Sequence, residues 1–112
     1  GCGKSSQVPQ LLLENELEKG NKWNSTQIVC TEPRRISAIS LAERVSLEIG
    51  DSSGCGNTGS LVGYHIRGSR KISNKSGKLR YCTTGVLLKQ LESDPFLEQY
   101  SHVVVDEVHE RS

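Results

Sequence analysis

Apolar positions along the chain come in short bursts whose spacing switches between helical and extended. Val8, Leu11, Leu12 and Leu17 recur at near-helical intervals up to a stop at Lys19, Gly20 and Asn21, which predicts an amphipathic helix with Pro9 straining its first turns. Residues 27–31 form an apolar run too brief for a helix, and Pro33 follows, so a buried strand ending in a loop is expected. Ala38, Leu41, Ala42, Val45 and Ile49 lie three or four apart, and Gly50 stands where a helix end favours glycine. Residues 50–59, rich in Gly, Ser and Asn, read as a surface loop. Residues 61–67 and 78–83 read as strands joined by the basic, polar segment 68–77. Thr83 or Thr84 then caps a helix carrying Val86, Leu87, Leu88 and Leu91, broken at Ser93, Asp94 and Pro95. Last, His102 and three valines precede an acidic pair, the pattern of a central parallel strand buried on both faces. Strands alternating with helices predict an α/β fold with a central, mainly parallel sheet flanked by helices, whose ligands gather at the carboxyl ends of the strands.

Length and composition narrow this picture. The 112 residues suffice for one compact domain or a domain fragment. With 34% apolar and 24% charged residues, neither a disordered tail nor a membrane segment is expected. A formal net charge of +1 supplies no general field for a polyanion, so any nucleic-acid surface has to be a local arrangement of Lys and Arg. Cys2, Cys30, Cys55 and Cys82 are scattered, without a CxxC pair or a nearby histidine, and read as reduced thiols of an intracellular protein, cytoplasmic or nuclear.

Two constellations carry chemistry. Gly1, Cys2, Gly3, Lys4 and Ser5 match the last five positions of the phosphate-loop pattern GxxxxGK[ST], with a helix right behind them. Glycines let the backbone curl its amides toward phosphate oxygens, Lys4 supplies charge to the β and γ phosphates, and the Ser5 hydroxyl suits magnesium. An ordinary turn before a helix is the alternative. At the other end, Asp106 and Glu107 follow the valine strand, where an acid has to stand to reach magnesium held by Ser5 and the phosphates. Asp106 is placed to hold the metal, directly or through water, and Glu107 to orient and deprotonate an attacking water. The alternative for that segment is a charged helix start. The distance between the two constellations leaves room for two or three βα units, which favours reading them together.

With GCGKSSQVPQ, TEPRRISAISLAERV, GYHIR, YCTTGVLLKQL and SHVVVDEVHERS in this order, the chain resembles the DEAH/RHA (DExH-box) branch of superfamily 2 RNA helicases, nearest in wording to the RNA helicase A-like subgroup. The resemblance implies that residues 1–112 are the N-terminal part of a first RecA-like domain, a P-loop NTPase fold, from motif I to motif II. It implies a nucleotide site of Gly1, Cys2, Gly3, Lys4, Ser5 and Ser6 for ATP or another NTP, with Mg2+ held by Ser5, Asp106 and Glu107. Lys4, Asp106, Glu107 and His109 then form the catalytic set, His109 coupling hydrolysis to a second RecA-like domain. Thr31, Pro33, Arg34 and Arg35 align with motif Ia and Thr83, Thr84 and Gly85 with motif Ib, segments that touch the nucleic-acid backbone. Arginines and hydroxyls at strand ends suit phosphate oxygens and read no base identity, so RNA, and DNA through the same backbone chemistry, is the implied partner. A solvated helix start and a plain cap are the alternatives for these segments. Arg44 aligns with an arginine that stacks on the nucleotide base; an ion pair with Glu43 or Glu48 is its alternative.

The activity implied is an NTP-dependent RNA helicase. An NTP-gated RNA-binding scaffold that unwinds little is the rival, and a P-loop kinase or transporter ATPase a third reading. The segment alone is expected to bind NTP weakly and hydrolyse it hardly at all, because it lacks the second RecA-like domain. Two departures from the family pattern stand out. Glu32 sits beside the two arginines where glutamine is commoner, so it is expected to point away or pair with one of them. Gly68 and Ser69 follow GYHIR and open a loop whose Arg70, Lys71, Lys75 and Lys78 read first as a solvated face and second as an extension of an RNA track.

Overall fold

The computed structural model describes residues 2–20, 25–50, 54–57, 59–73 and 76–105, with the backbone alone for residues 2–6. Among the described residues, three helices and five strands follow one another as α1 (Cys2–Lys19), β1 (Ile28–Glu32), α2 (Arg35–Glu48), β2 (Val62–Ile66), β3 (Ser69–Lys71), β4 (Leu79–Thr83), α3 (Thr84–Ser93) and β5 (His102–Val105). The strands make one sheet in the order β3-β2-β4-β1-β5. Every pairing is parallel except the β2–β3 hairpin. The expected α/β architecture is therefore present, with α1 and α2 on one face of the sheet and α3 on the other.

Strand periodicity explains the two layers. Alternate side chains of a strand point to opposite faces. Ile28, Cys30, Val62, Ile66, Leu79 and Tyr81 meet Leu13 of α1 and Ala38, Ala42 and Val45 of α2 in the larger core. Val29 and Cys82, one residue out of step, meet Leu87 of α3 and Tyr100 in a smaller one. Alanines at 38 and 42 let α2 approach the sheet closely. Gly50, with φ of 75°, follows the helix end at the expected place, and its amide bonds the Leu47 carbonyl.

Several expectations change in detail. In α1 the face turned inward passes through Pro9, Leu13 and Glu16, while Leu11 and Leu17 are 60% and 58% exposed. The leucine spacing thus foretold the helix but not the side it buries, because Pro9, which offers no amide to solvate, packs as an apolar residue inside the helix. Thr83 does stand at the N-cap of α3, yet its side chain makes no capping bond. Segment 68–77 contains a strand, β3, formed where Gly68 takes a φ of 85° and turns the chain back on β2. Gly63 lets that hairpin close, since a Cβ there would stand 2.4 Å from the Lys71 carbonyl oxygen. The largest correction concerns β5. Among the described residues it pairs with β1 alone and forms an edge of the sheet, with Val103 and Val105 42% and 63% exposed. The valines suit a strand covered on both faces, and these residues supply the cover on neither edge nor α3 side.

Candidate nucleic-acid groove and nucleotide end of the sheet

Register brings the sequence-predicted segments together. Glu32 at the end of β1 lies beside Thr83 at the end of β4, so Pro33, Arg34 and Arg35 leave the sheet next to Thr84 and Gly85. On the other side of β4, His65 pairs with Cys82, which carries the end of β2 to the same edge. Between these ends opens a groove of about 1040 Å³. Pro33, Arg35, Thr83 and Gly85 line it, four of the residues assigned to nucleic-acid contact. Arg34 and Thr84 are exposed nearby without lining it, and Thr31 is buried in the sheet.

The groove also has walls that motif reading did not assign. His65, Ile66, Arg67 and Gly68 come from the end of β2 and its turn, and Lys89 and Gln90 from the second turn of α3. Arg35, Arg67 and Lys89 thus face one concavity from three different elements, against the single acid Glu92 in its lining, a locally positive balance that the near-neutral composition conceals. GYHIR ending on an arginine was the available signal; strand register, which no single segment encodes, decides that it joins the other two. The free N-terminal amides of α3 open at the same edge, from Thr84 onward.

The rest of the basic run is arranged differently. Arg70 and Lys71 are exposed on β3, whereas Lys78 is buried and its amide bonds the Leu61 carbonyl. Lys75 lies outside the described residues. Glu32 is buried, in step with Ile28 and Cys30 and therefore turned toward the α1–α2 layer, away from the groove arginines. One of its oxygens, Oε2, is buried without a hydrogen bond among the described residues.

Behind the groove, on the α3 face, runs a polar chain. The Arg80 guanidinium lies 5.4 Å from the centroid of the Tyr100 ring. The Tyr100 hydroxyl donates to Gln90 Oε1 at 2.6 Å, and Gln90 Nε2 lies 3.5 Å from His65 Nδ1. Burial, then the nearby Arg70 and Arg80 charges, hold the His65 imidazole below its ordinary pKa. Burial also pushes the Cys82 thiol up to about 11, which makes it an unreactive packing residue.

Of the nucleotide residues, Gly1, Asp106, Glu107 and His109 lie outside the described residues, as do the side chains of Cys2, Lys4, Ser5 and Ser6, while Gly3 is described by its backbone. The described frame around them is consistent with one site. Helix α1 starts at Cys2, so its free N-terminal amides lie at the candidate phosphate loop. Its C-terminal part sits beside the start of β5, with Glu16 Oε2 3.7 Å from His102 Nε2. Strand β5, parallel to β1, ends at the same edge of the sheet as β1. Arg44 is exposed on α2 and paired with Glu48, Nε to Oε2 at 3.0 Å, while Gln10 of α1 donates to the other oxygen of Glu48 at 2.6 Å. The ion pair named as its alternative is thus formed. These hydrogen bonds, first from Gln10 and then from Arg44, hold the Glu48 carboxyl below its ordinary pKa.

No family model matches the chain. Individual proteins do. It is 52% identical to the ATP-dependent DNA/RNA helicase DHX36 of Homo sapiens over 112 residues, all of this chain and 11% of that protein. It is 54% identical to the human ATP-dependent RNA helicase DHX29, again along its whole length and over 8% of the relative. The crystal structure of the DExH-box NTPase HrpB of E. coli superposes with a TM-score of 0.75 at 31% identity, covering 98% of this chain and 12% of that one. The chain thus spans about a tenth of the relatives it matches. Since identity and fold agree over essentially every residue, the chain belongs to the DEAH-box (DExH-box) helicase family, as part of a RecA-like domain.

Proposed function

We propose that this chain is the nucleotide-gripping part of an ATP-driven RNA helicase, acting with a second RecA-like domain. The observation that carries the reading is the common edge of the sheet. The ends of β1, β2 and β4 open one cationic groove there, and β5, parallel to β1, ends on the same side, Asp106 being the next residue of the sequence. Backbone phosphates suit the groove, because Arg35, Arg67, Lys89 and the α3 amides offer charge and donors without a base-reading pattern. RNA is the substrate class favoured, and single-stranded DNA fits the same chemistry. The relatives' names, DNA/RNA helicase and RNA helicase, support both.

On the nucleotide side, Lys4 and the backbone amides of the phosphate loop hold the β and γ phosphates of ATP, and Arg44 is available to the base once it leaves Glu48. Ser5, Asp106 and Glu107 form the donor set for Mg2+, a hydroxyl and two carboxylates of the hard-oxygen type this ion prefers. When bound, magnesium supplies neutralisation of phosphate charge. Glu107 orients the attacking water and takes its proton, and His109 links the site to the second domain. The thiols buried at Cys30 and Cys82 suit a reducing compartment, cytoplasm or nucleus.

Replacing Glu107 by Gln in the intact protein tests the motor against a nucleotide-gated scaffold. The motor reading expects NTP and RNA binding to persist while hydrolysis and strand separation both vanish. Undiminished RNA remodelling without hydrolysis makes the protein a scaffold.

A further inference from the structure

The polar chain on the α3 face has a direction. The Tyr100 hydroxyl donates to Gln90 Oε1 at 2.6 Å. With its oxygen so engaged, Gln90 presents its amide NH2 to His65 Nδ1. Nδ1 is then an acceptor, which leaves the proton of a neutral imidazole on Nε2. Side chains from the loop before β5 and from α3 thereby fix one tautomer of a β2 residue, and that residue lines the groove.

We propose that His65 is a contact for the nucleic-acid backbone, held by Gln90 and Tyr100 as a neutral imidazole whose Nε2–H donates to a phosphate oxygen. The proposal rests on the reading of the groove given above and adds to it a donor that works without charge. Burial among the cations Arg70 and Arg80 favours that form at neutral pH. Protonation would instead set an Nδ1–H against the Gln90 NH2 and require the amide to exchange its two ends. Tyr100 acts through Gln90 and is a positioning residue.

The test is binding of a fluorescent single-stranded oligouridylate to the intact protein at neutral pH, followed by anisotropy. His65→Ala should weaken binding about tenfold, the scale of one hydrogen bond to a charged acceptor. His65→Gln, which keeps an N–H donor, should recover most of that loss. Tyr100→Phe should weaken binding a few-fold in the wild-type background and not at all in His65→Ala, since both changes remove the same interaction. The proposal is overturned if His65→Ala binds like wild type. It is equally overturned if His65→Gln is no better than His65→Ala, or if the Tyr100→Phe loss is the same in both backgrounds. Arg35→Ala separates the two levels. A loss there with an unaffected His65→Ala removes this proposal and leaves the groove standing, whereas wild-type binding by Arg35→Ala removes the groove itself.

Discussion

On the α1–α2 side, the sheet presents Ile28, Cys30, Val62, Leu79 and Tyr81 to two helices and is closed over by them. On the α3 side, one ten-residue helix covers Val29 and Cys82 and leaves Arg80, His65 and the outer valines of β5 at the margin of solvent. The first face is mostly apolar, with the Tyr81 hydroxyl and the Glu32 carboxylate among its few buried polar groups. The second combines a small apolar patch with groups whose hydrogen bonds have direction. A difference of this kind teaches where each task is done: the closed face supplies stability, and the incompletely covered face, where it meets the carboxyl edge, has donors and cations free to meet a ligand.

Substitutions can break or sharpen that division. The largest stability effect should come from the closed face. Tyr81→Ala, which empties a fully buried aromatic site, should cost about 3–5 kcal/mol in chemical denaturation, and Leu87→Ala under α3 about 2 kcal/mol. Equal losses would erase the distinction between the faces. Next comes the hairpin that shapes the groove wall. Gly63→Ala forces a Cβ against the Lys71 carbonyl and Ile72, and should destabilise by about 1–3 kcal/mol with a matching fall in melting temperature.

Smaller in free energy and confined to binding is Arg35→Ala. It should lower RNA affinity about tenfold and reduce the slope of log affinity against log salt by about one, with little change in melting temperature. Smallest is the exposed Glu48. Its carboxyl is held below the ordinary value, so it contributes stability above that value and loses it as pH falls through the lowered one. Glu48→Gln should leave neutral-pH melting nearly unchanged and remove only a slight part of the acid-side decline, compared by melting curves across pH.

Much of this was legible in the amino-acid sequence. Apolar spacing gave α2, β1, β2, β4 and α3 within a residue or two, because each buries a regular stripe. It passed over β3, whose Ser69, Arg70 and Lys71 are all exposed and carry no apolar pattern; the turn at Gly68 and pairing with β2 create that strand. It misjudged the buried side of α1, where Pro9 and Glu16 displaced leucines, and the cover over β5. For the candidate site, motif reading named Pro33, Arg35, Thr83 and Gly85, which do share a groove. It could not find His65, Lys89 or the directed chain behind them, since those depend on how β2 and α3 meet across the sheet. Asp106 and Glu107, the acids proposed for catalysis, are the opposite case: the sequence names them and they lie outside the described residues.

The most direct test of the central claim is NTP hydrolysis by the intact protein, measured with and without single-stranded RNA, in wild type and in Arg35→Ala. A helicase whose cationic groove feeds its nucleotide site should hydrolyse faster when RNA is added, and Arg35→Ala should need about ten times more RNA to reach half-maximal stimulation while keeping its RNA-free rate. Hydrolysis indifferent to RNA, or stimulation unchanged by Arg35→Ala, would contradict the account.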